Sequence, residues 1–463
     1  MTDFEIQLFL VFAIGVCLSI QALVAARIGG AVALLLMTQV VFWSLGYVAR
    51  PLFLIVAKPT GSSLLTDPRL ARAEYGEPMT GALGIVLVGL ISYVAVVTAY
   101  FLSRKRDRSS NMMHLMPAGN DANRKLLVWC GLVLWAIGWL GRIDFLSAQS
   151  ILSQLQPLAI TGATLAIVGL KRSAISFVPL SAVLFIEVSW SFSFESKAAM
   201  VLPVLALCLR FILTNRTSAL LKLLPIIAGS VLVGFFAIQS IRGIFTTSQA
   251  ESLSSSVNGG TLAVYLLGLL QRFDGFSSVT DSYYLGPGNW QPASQYFMRV
   301  FENLIPKFGE AQEASVGQLW TREVRAYSIP DQYRDVPIAA GPIAEGYAMW
   351  GVLGVVALNV LLALMVIGLG RALMVRSVLL IVFAVSMSFN TGIYEVALQG
   401  WAGSVNKSLQ AVAVALPILL LASLARNLKR GRTPLLPATA QAVEESGLRC
   451  TATRMSSVRK SAR

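Results

Sequence analysis

Long apolar runs alternate with short polar joints along almost the whole chain. About 20 apolar residues in helical form cross the hydrocarbon core of a bilayer. On that criterion the pattern predicts about eleven spans, within a range of 10–12, near 4–24, 31–57, 80–102, 126–146, 151–170, 173–191, 198–214, 219–240, 338–370, 375–395 and 404–425. The expected fold class is therefore all-α and polytopic. Residues 1–240 hold eight spans, 241–337 form one large polar loop, 338–425 hold three more spans, and 426–463 form a basic tail of disordered composition. The ninth span stands out. It begins Gly341-Pro342-Ile343-Ala344-Glu345-Gly346-Tyr347 and then runs without a charge to Arg371. It reads as a single helix with one carboxylate near its leading end.

Composition agrees: 13% of residues are charged, about half the usual soluble fraction, and the mean hydropathy is +0.69. The first apolar run is flanked by Asp3 and Glu5 and is long enough to span, so a cleavable signal peptide is not expected. The formal charge of +14 is concentrated in two places. Segment 103–125 has six Lys/Arg against two Asp, and the chain from Arg426 has nine against two Glu. Basic flanks of spans mark the cytoplasmic side, which accounts for the excess without nucleic acid. The basic joints then fall on one face, placing the N-terminus outside and the C-terminus in the cytoplasm. The large loop, with seven basic and nine acidic residues, falls on the outer face.

Ionisable side chains within spans mark sites or pathways. Here they gather at the expected outer ends: Arg50, Arg142 with Asp144, Glu187, Glu195 with Lys197, Arg242, Glu345, Glu395 and Lys407. The inner halves are almost purely apolar, which suits an outward-facing polar basin rather than a transport path. Bland alternatives stand beside this reading. Arg50 could snorkel to headgroups, Arg142 could pair with Asp144, Glu195 with Lys197, and Glu345 could be an exposed loop acid. The large loop carries Arg242, Arg272 and Arg299 among many aromatics, including Trp290 and Tyr296. Residues 261–271 are apolar but too short to span and predict an interfacial helix. Arginine forks bind phosphate oxygens bidentately, and aromatic faces can carry sugars. An ordinary interfacial aromatic belt is the competing reading.

Three absences and the place of one histidine narrow the chemistry. The sequence contains no P-loop, no Cys/His metal cluster and no G-x-S-x-G, and its single histidine, His114, lies in an expected cytoplasmic joint. Neither a cofactor nor a metal is expected. A synthesis on the outer face would draw on a donor already activated on a lipid.

The chain resembles the O-antigen polymerase family, the Wzy-type oligosaccharide repeat-unit polymerases of the wider O-antigen ligase/polymerase superfamily. Four stretches carry the resemblance. They are the segment from Gly341 to Tyr347 followed by Trp350-Gly351-Val352-Leu353-Gly354, then Ser196-Lys197, Ser240-Ile241-Arg242, and Arg272-Phe273-Asp274-Gly275. Lysine at 197 departs from the commoner arginine, and no outer-face histidine matches the one typical of the ligases. The resemblance implies a GT-C-like, metal-independent glycosyltransferase of the bacterial cytoplasmic membrane. Undecaprenyl-pyrophosphate-linked oligosaccharides would be donor and acceptor, with membrane lipids, a chain-length regulator and a flippase as further expected partners. It implies Glu345 as base with Asp274 as second choice, and Arg242 and Arg272 on the pyrophosphate. Lys197, Arg299, Arg142, Tyr347 and Trp290 would contact substrate. A ligase that transfers finished glycan to a lipid or protein, and a lipid-linked oligosaccharide flippase or exporter, are the alternatives.

Overall fold

The structure, a computed structural model, describes residues 2–57, 77–106, 121–142, 155–170, 174–193, 197–213, 275–305, 316–324, 340–375, 377–389 and 393–431, with scattered positions within 219–234. Every regular element among them is helical. In chain order these are α1 (Asp3–Ile28), α2 (Gly30–Ser44), a π-helical turn (Leu45–Ala49), α3 (Arg50–Ala57), α4 (Glu77–Arg106), α5 (Asp121–Leu140), α6 (Gln156–Gly169), α7 (Ala174–Ser193), α8 (Lys197–Leu213), α9 (Gly275–Leu285), α10 (Ala293–Leu304), α11 (Val316–Glu323), α12 (Gly341–Ala372), α13 (Val378–Phe389) and α14 (Leu398–Gly431). The chain divides into two units, Met1–Ala415 and Leu416–Arg463. Within the second, the described residues are the last turns of α14.

Five of the described helices are long and apolar enough to cross a membrane: Asp3–Ile28, Gly30–Val56, Pro78–Arg104, Gly341–Ala372 and Leu398–Leu424. Shorter apolar helices cover Gln156–Gly169, Val204–Leu213 and Val378–Phe389. The protein is thus a helical, multi-pass membrane protein. The expected interfacial helix at 261–271, most of the eighth span and most of the tail lie outside the described residues.

Within the first unit, α1, α2, α4, α9 and α12 pack together. A second group forms around α6, which packs against α5, α7, α8 and α13. The antiparallel pair α5 and α6 is joined through small residues. A Cβ on Gly131 would lie 2.5 Å from the Ala166 nitrogen, and one on Gly162 would lie 2.5 Å from the Gly131 carbonyl oxygen. Backbones approach this closely only where side chains are absent, the usual basis of helix association in lipid. Three arginines cap helix ends: Arg104 donates to Ile28 O at 2.7 Å, Arg124 to Leu170 O at 2.8 Å and Arg210 to Ile167 O at 2.7 Å. Each supplies a cation to the negative end of a helix, and Arg104 and Arg124 belong to the basic segment 103–125 recognised from sequence.

Two features depart from the sequence pattern. First, α12 is not one helix. The backbone leaves helical space at Trp350 (φ −140°, ψ 18°) and Gly351 (φ 62°, ψ −146°). The chain turns back on itself there, so that a Cβ on Gly346 would come within 2.7 Å of the Gly354 carbonyl. The arm 352–372 still has the roughly 20 residues a span requires, whereas 341–349 is far too short. A break in lipid is tolerated only where protein covers the freed backbone groups. That cover is present: the Gly288 N–H donates to Ala348 O at 3.0 Å, and Pro287 packs at Gly351. Second, α9 from the large loop is not solvated. Its Ser277, Ser278, Thr280, Asp281 and Ser282 are all buried, and the helix packs against α12 and α4.

Candidate functional site

Glu345 sits in the short arm of α12, just ahead of the break. Its side chain is 1% exposed, which removes the exposed-acid alternative. A buried carboxylate is stable only when hydrogen-bonded or paired. Three donors meet this one. The Tyr296 hydroxyl of α10 donates to Glu345 Oε1. The backbone N–H groups of Leu398 and Gln399, in the first turn of α14, face the same carboxylate. The N-terminal end of a helix is a natural seat for a negative charge, because its first N–H groups lack intrahelical partners. Three segments distant in sequence therefore converge on one acid.

Tyr296 is itself buried. Burial, and then the nearby Glu345 charge, push its phenol well above the usual tyrosine range, so it stays protonated and acts as a donor. Its ring meets Trp350 edge-on with centroids 5.5 Å apart, and Phe297 stacks on Trp350 at 5.8 Å. The loop helix α10 thus clasps the residue at which α12 breaks. One turn further along α10 lies Arg299, and beyond it Asn303, whose side-chain amide donates to Gln399 O at 3.4 Å.

Four of the sequence-predicted site residues gather here. Beside Glu345 and Arg299, Trp290 is buried, packs edge-on against Tyr296 at 6.2 Å and Trp320 at 4.9 Å, and donates to Glu323 Oε2 at 2.9 Å. Tyr347 stacks on Tyr283 of α9, with centroids 6.3 Å apart and planes 18° from parallel. Arg242, Arg272 and Asp274 lie outside the described residues. Lys197 opens α8.

Arg142, expected on substrate or paired with Asp144, is 6% exposed and grips Glu187 of α7 as a fork, with Nη1 to Oε1 at 3.0 Å and Nη2 to Oε2 at 3.1 Å. Trp135 and Trp139 also donate to Glu187 Oε1, at 2.8 and 3.2 Å. The guanidinium carbon lies 5.0 Å from the Trp139 ring and 4.9 Å from the Trp190 ring. A planar cation between two aromatic faces and a carboxylate is a finished structural pair, joining α5 to α7. Asp144 lies outside the described residues.

Arg50 corrects an expectation. It does not snorkel: it is 2% exposed, follows the π-helical turn, and donates from Nη2 to Ser277 Oγ at 2.6 Å. It fastens α9 to the membrane helices. Sequence reasoning placed Tyr296 only among loop aromatics and did not single out Gln399 or Ser277. The low hydrophobicity of α9 and α10 makes both helices look like solvated loop, and their long-range partners have no local signal.

Among the described residues no group of three or more His, Cys, Asp or Glu is placed to hold a metal. Compared with known proteins, the chain matches no protein-family profile, no curated protein and no solved structure. The class defined by fold and site is accordingly the broad one: a multi-pass helical membrane protein with a buried acid at a helix break, reached by a helix from a large loop.

Proposed function

We propose that this protein is a membrane glycosyltransferase that polymerises undecaprenyl-pyrophosphate-linked oligosaccharide repeat units into O-antigen, capsule or exopolysaccharide. In this reading it works at the outer face of the bacterial cytoplasmic membrane. It has about eleven spans in a GT-C-like arrangement, the large loop outside, the N-terminus outside and the C-terminus in the cytoplasm. The arginine caps from the basic joints support that orientation, since cationic joints belong to the cytoplasmic side.

The observation that carries the proposal is the seating of loop helix α10 on the α12 break. It puts the Tyr296 hydroxyl on a buried Glu345 within the stretch that resembles the polymerases. In the reaction, Glu345 takes the proton of an acceptor hydroxyl. The resulting oxygen attacks the anomeric carbon of the donor sugar. The bond from that carbon to the pyrophosphate oxygen breaks, and its electron pair leaves with undecaprenyl pyrophosphate. Arg242 and Arg272, assisted by Lys197 and Arg299, stabilise the departing charge. Asp274 is the second choice of base. Tyr296 and the first turn of α14 hold the Glu345 carboxylate in place, and Trp290 and Tyr347 lie near enough to carry sugar faces. Arg142 has no role in this scheme because Glu187 occupies it.

A gel of surface and lipid-linked glycan from a deletion strain and its parent tests the proposal. Single repeat units on the acceptor, where the parent shows a ladder, support it. Full-length polymer held on the carrier lipid would make the protein a ligase, and repeat units accumulating on the cytoplasmic side would make it a flippase.

A further inference from the structure

On the two helices that meet at Glu345, the described residues leave two buried donors without an acceptor: Arg299 Nη1 on α10 and Gln399 Nε2 at the start of α14. Gln399 is 1% exposed. Its backbone N–H faces the Glu345 carboxylate, and its backbone oxygen accepts from Asn303 of α10. Arg299 lies between Tyr296 and Asn303 on α10. Residues three, four and seven apart share one helical face. Tyr296 at one end of that face touches Glu345 and Asn303 at the other touches Gln399. Arg299 is therefore held between the same two anchors. Buried donors are nearly always satisfied, and two left unsatisfied on the helices that meet at Glu345 point to a missing acceptor group. One donor is an amide and the other a guanidinium that stays charged. Together they suit an oxygen carrying negative charge more than a neutral hydroxyl.

We infer that Arg299 and Gln399 form an oxyanion-binding subsite beside Glu345, which deepens the polymerase reading and rests on it for the choice of ligand. Two parts of the substrates bear such oxygens: the carboxylate of an acidic sugar in the repeat unit, and the pyrophosphate of the carrier. If the sugar carboxylate is the source, the subsite selects repeat units with a uronic acid next to the reacting hydroxyl.

The test uses the full chain in lipid nanodiscs, with binding of undecaprenyl pyrophosphate and, separately, of octyl glucuronide measured by native mass spectrometry. Gln399→Met and Arg299→Met remove the donors while keeping side-chain bulk. Each is expected to weaken one of the two probes by about tenfold or more, and the probe affected identifies the source of the oxyanion. The ligand-free Gln399→Met protein is expected to melt at the same temperature as wild type or higher, because an unsatisfied donor has been removed. Unchanged binding of both probes in both variants, or a fall in melting temperature without loss of binding, overturns the inference. Because binding is read without polymer synthesis, an intact subsite in a protein whose deletion leaves the glycan ladder unaltered would refute the polymerase reading alone.

Discussion

The break in α12 gives the sharpest structural prediction, because a continuous helix and a folded-back one place the same glycines in incompatible positions. Residues 346 and 354 of a straight helix would be separated by about 12 Å along its axis. In the structure a Cβ on Gly354 would overlap the Gly346 carbonyl, and the reverse substitution would meet the Gly354 carbonyl at 2.7 Å. Gly354→Ala should therefore cost about 1–3 kcal/mol through overpacking. Gly351→Ala should cost a similar amount, about 1–3 kcal/mol, for holding φ at 62° with a side chain. Gly368, later in the same helix, has nothing within 4 Å of its would-be Cβ, and Gly368→Ala should gain about 0.5–1 kcal/mol from helix propensity. The contrast between 354 and 368 is then about 1.5–4 kcal/mol, read as unfolding midpoints of purified protein in mixed micelles. Equal stability of the 354 and 368 variants would restore the single continuous span.

Three further outcomes follow from named contacts. Tyr296→Phe takes a donor from a buried carboxylate and should cost about 1–3 kcal/mol while shortening or abolishing the glycan ladder; a variant with wild-type stability and ladder would remove Tyr296 from the site. Arg142→Ala should lose about 3–5 kcal/mol by leaving the buried Glu187 carboxylate without its guanidinium, whereas the double variant Arg142→Met/Glu187→Met should recover most of that loss; unfolding midpoints of both check it. Glu395, half-buried in the turn before α14, has its carboxyl pushed up to about 7 by desolvation. A carboxyl whose folded value lies above its unfolded value makes stability fall as pH rises between the two. Midpoints should accordingly decline from about pH 4.5 to about pH 7 less steeply in Glu395→Gln than in wild type, and identical slopes would refute the burial of this acid.

Some of this architecture was legible because it rests on local pattern. The long apolar runs of α1, α2, α4, α12 and α14 announce themselves by length, and the basic segment 103–125 recognised in the sequence supplies caps at Ile28 and Leu170. The break in α12 was hidden because Trp350 and Gly351 continue an apolar run, and hydropathy is blind to backbone direction. Gly346, Gly351 and Gly354 were its only trace. The serines, threonine and aspartate of α9 read as solvated loop, although Arg50 and the π-helical turn before it give that polar helix a buried partner. Glu345 was identified from its neighbours, but Tyr296 and Gln399 reach it across 49 and 54 positions of chain, and no short window can pair residues that far apart. Arg142 had an obvious local candidate in Asp144, and its pairing with Glu187, 45 positions away on another helix, has no local signal.

Complementation of the deletion strain bears most directly on the central claim that Glu345 is the base for polymerisation. Wild type, Glu345→Gln and Glu345→Asp would be expressed to equal levels, with membrane insertion verified, and both surface glycan and carrier-linked repeats would be resolved on gels. Glutamine keeps the size and hydrogen-bonding shape of the side chain but cannot take up a proton. The account predicts that Glu345→Gln leaves single repeat units with no ladder, and that Glu345→Asp restores a weak, short one. A full wild-type ladder from Glu345→Gln would contradict it.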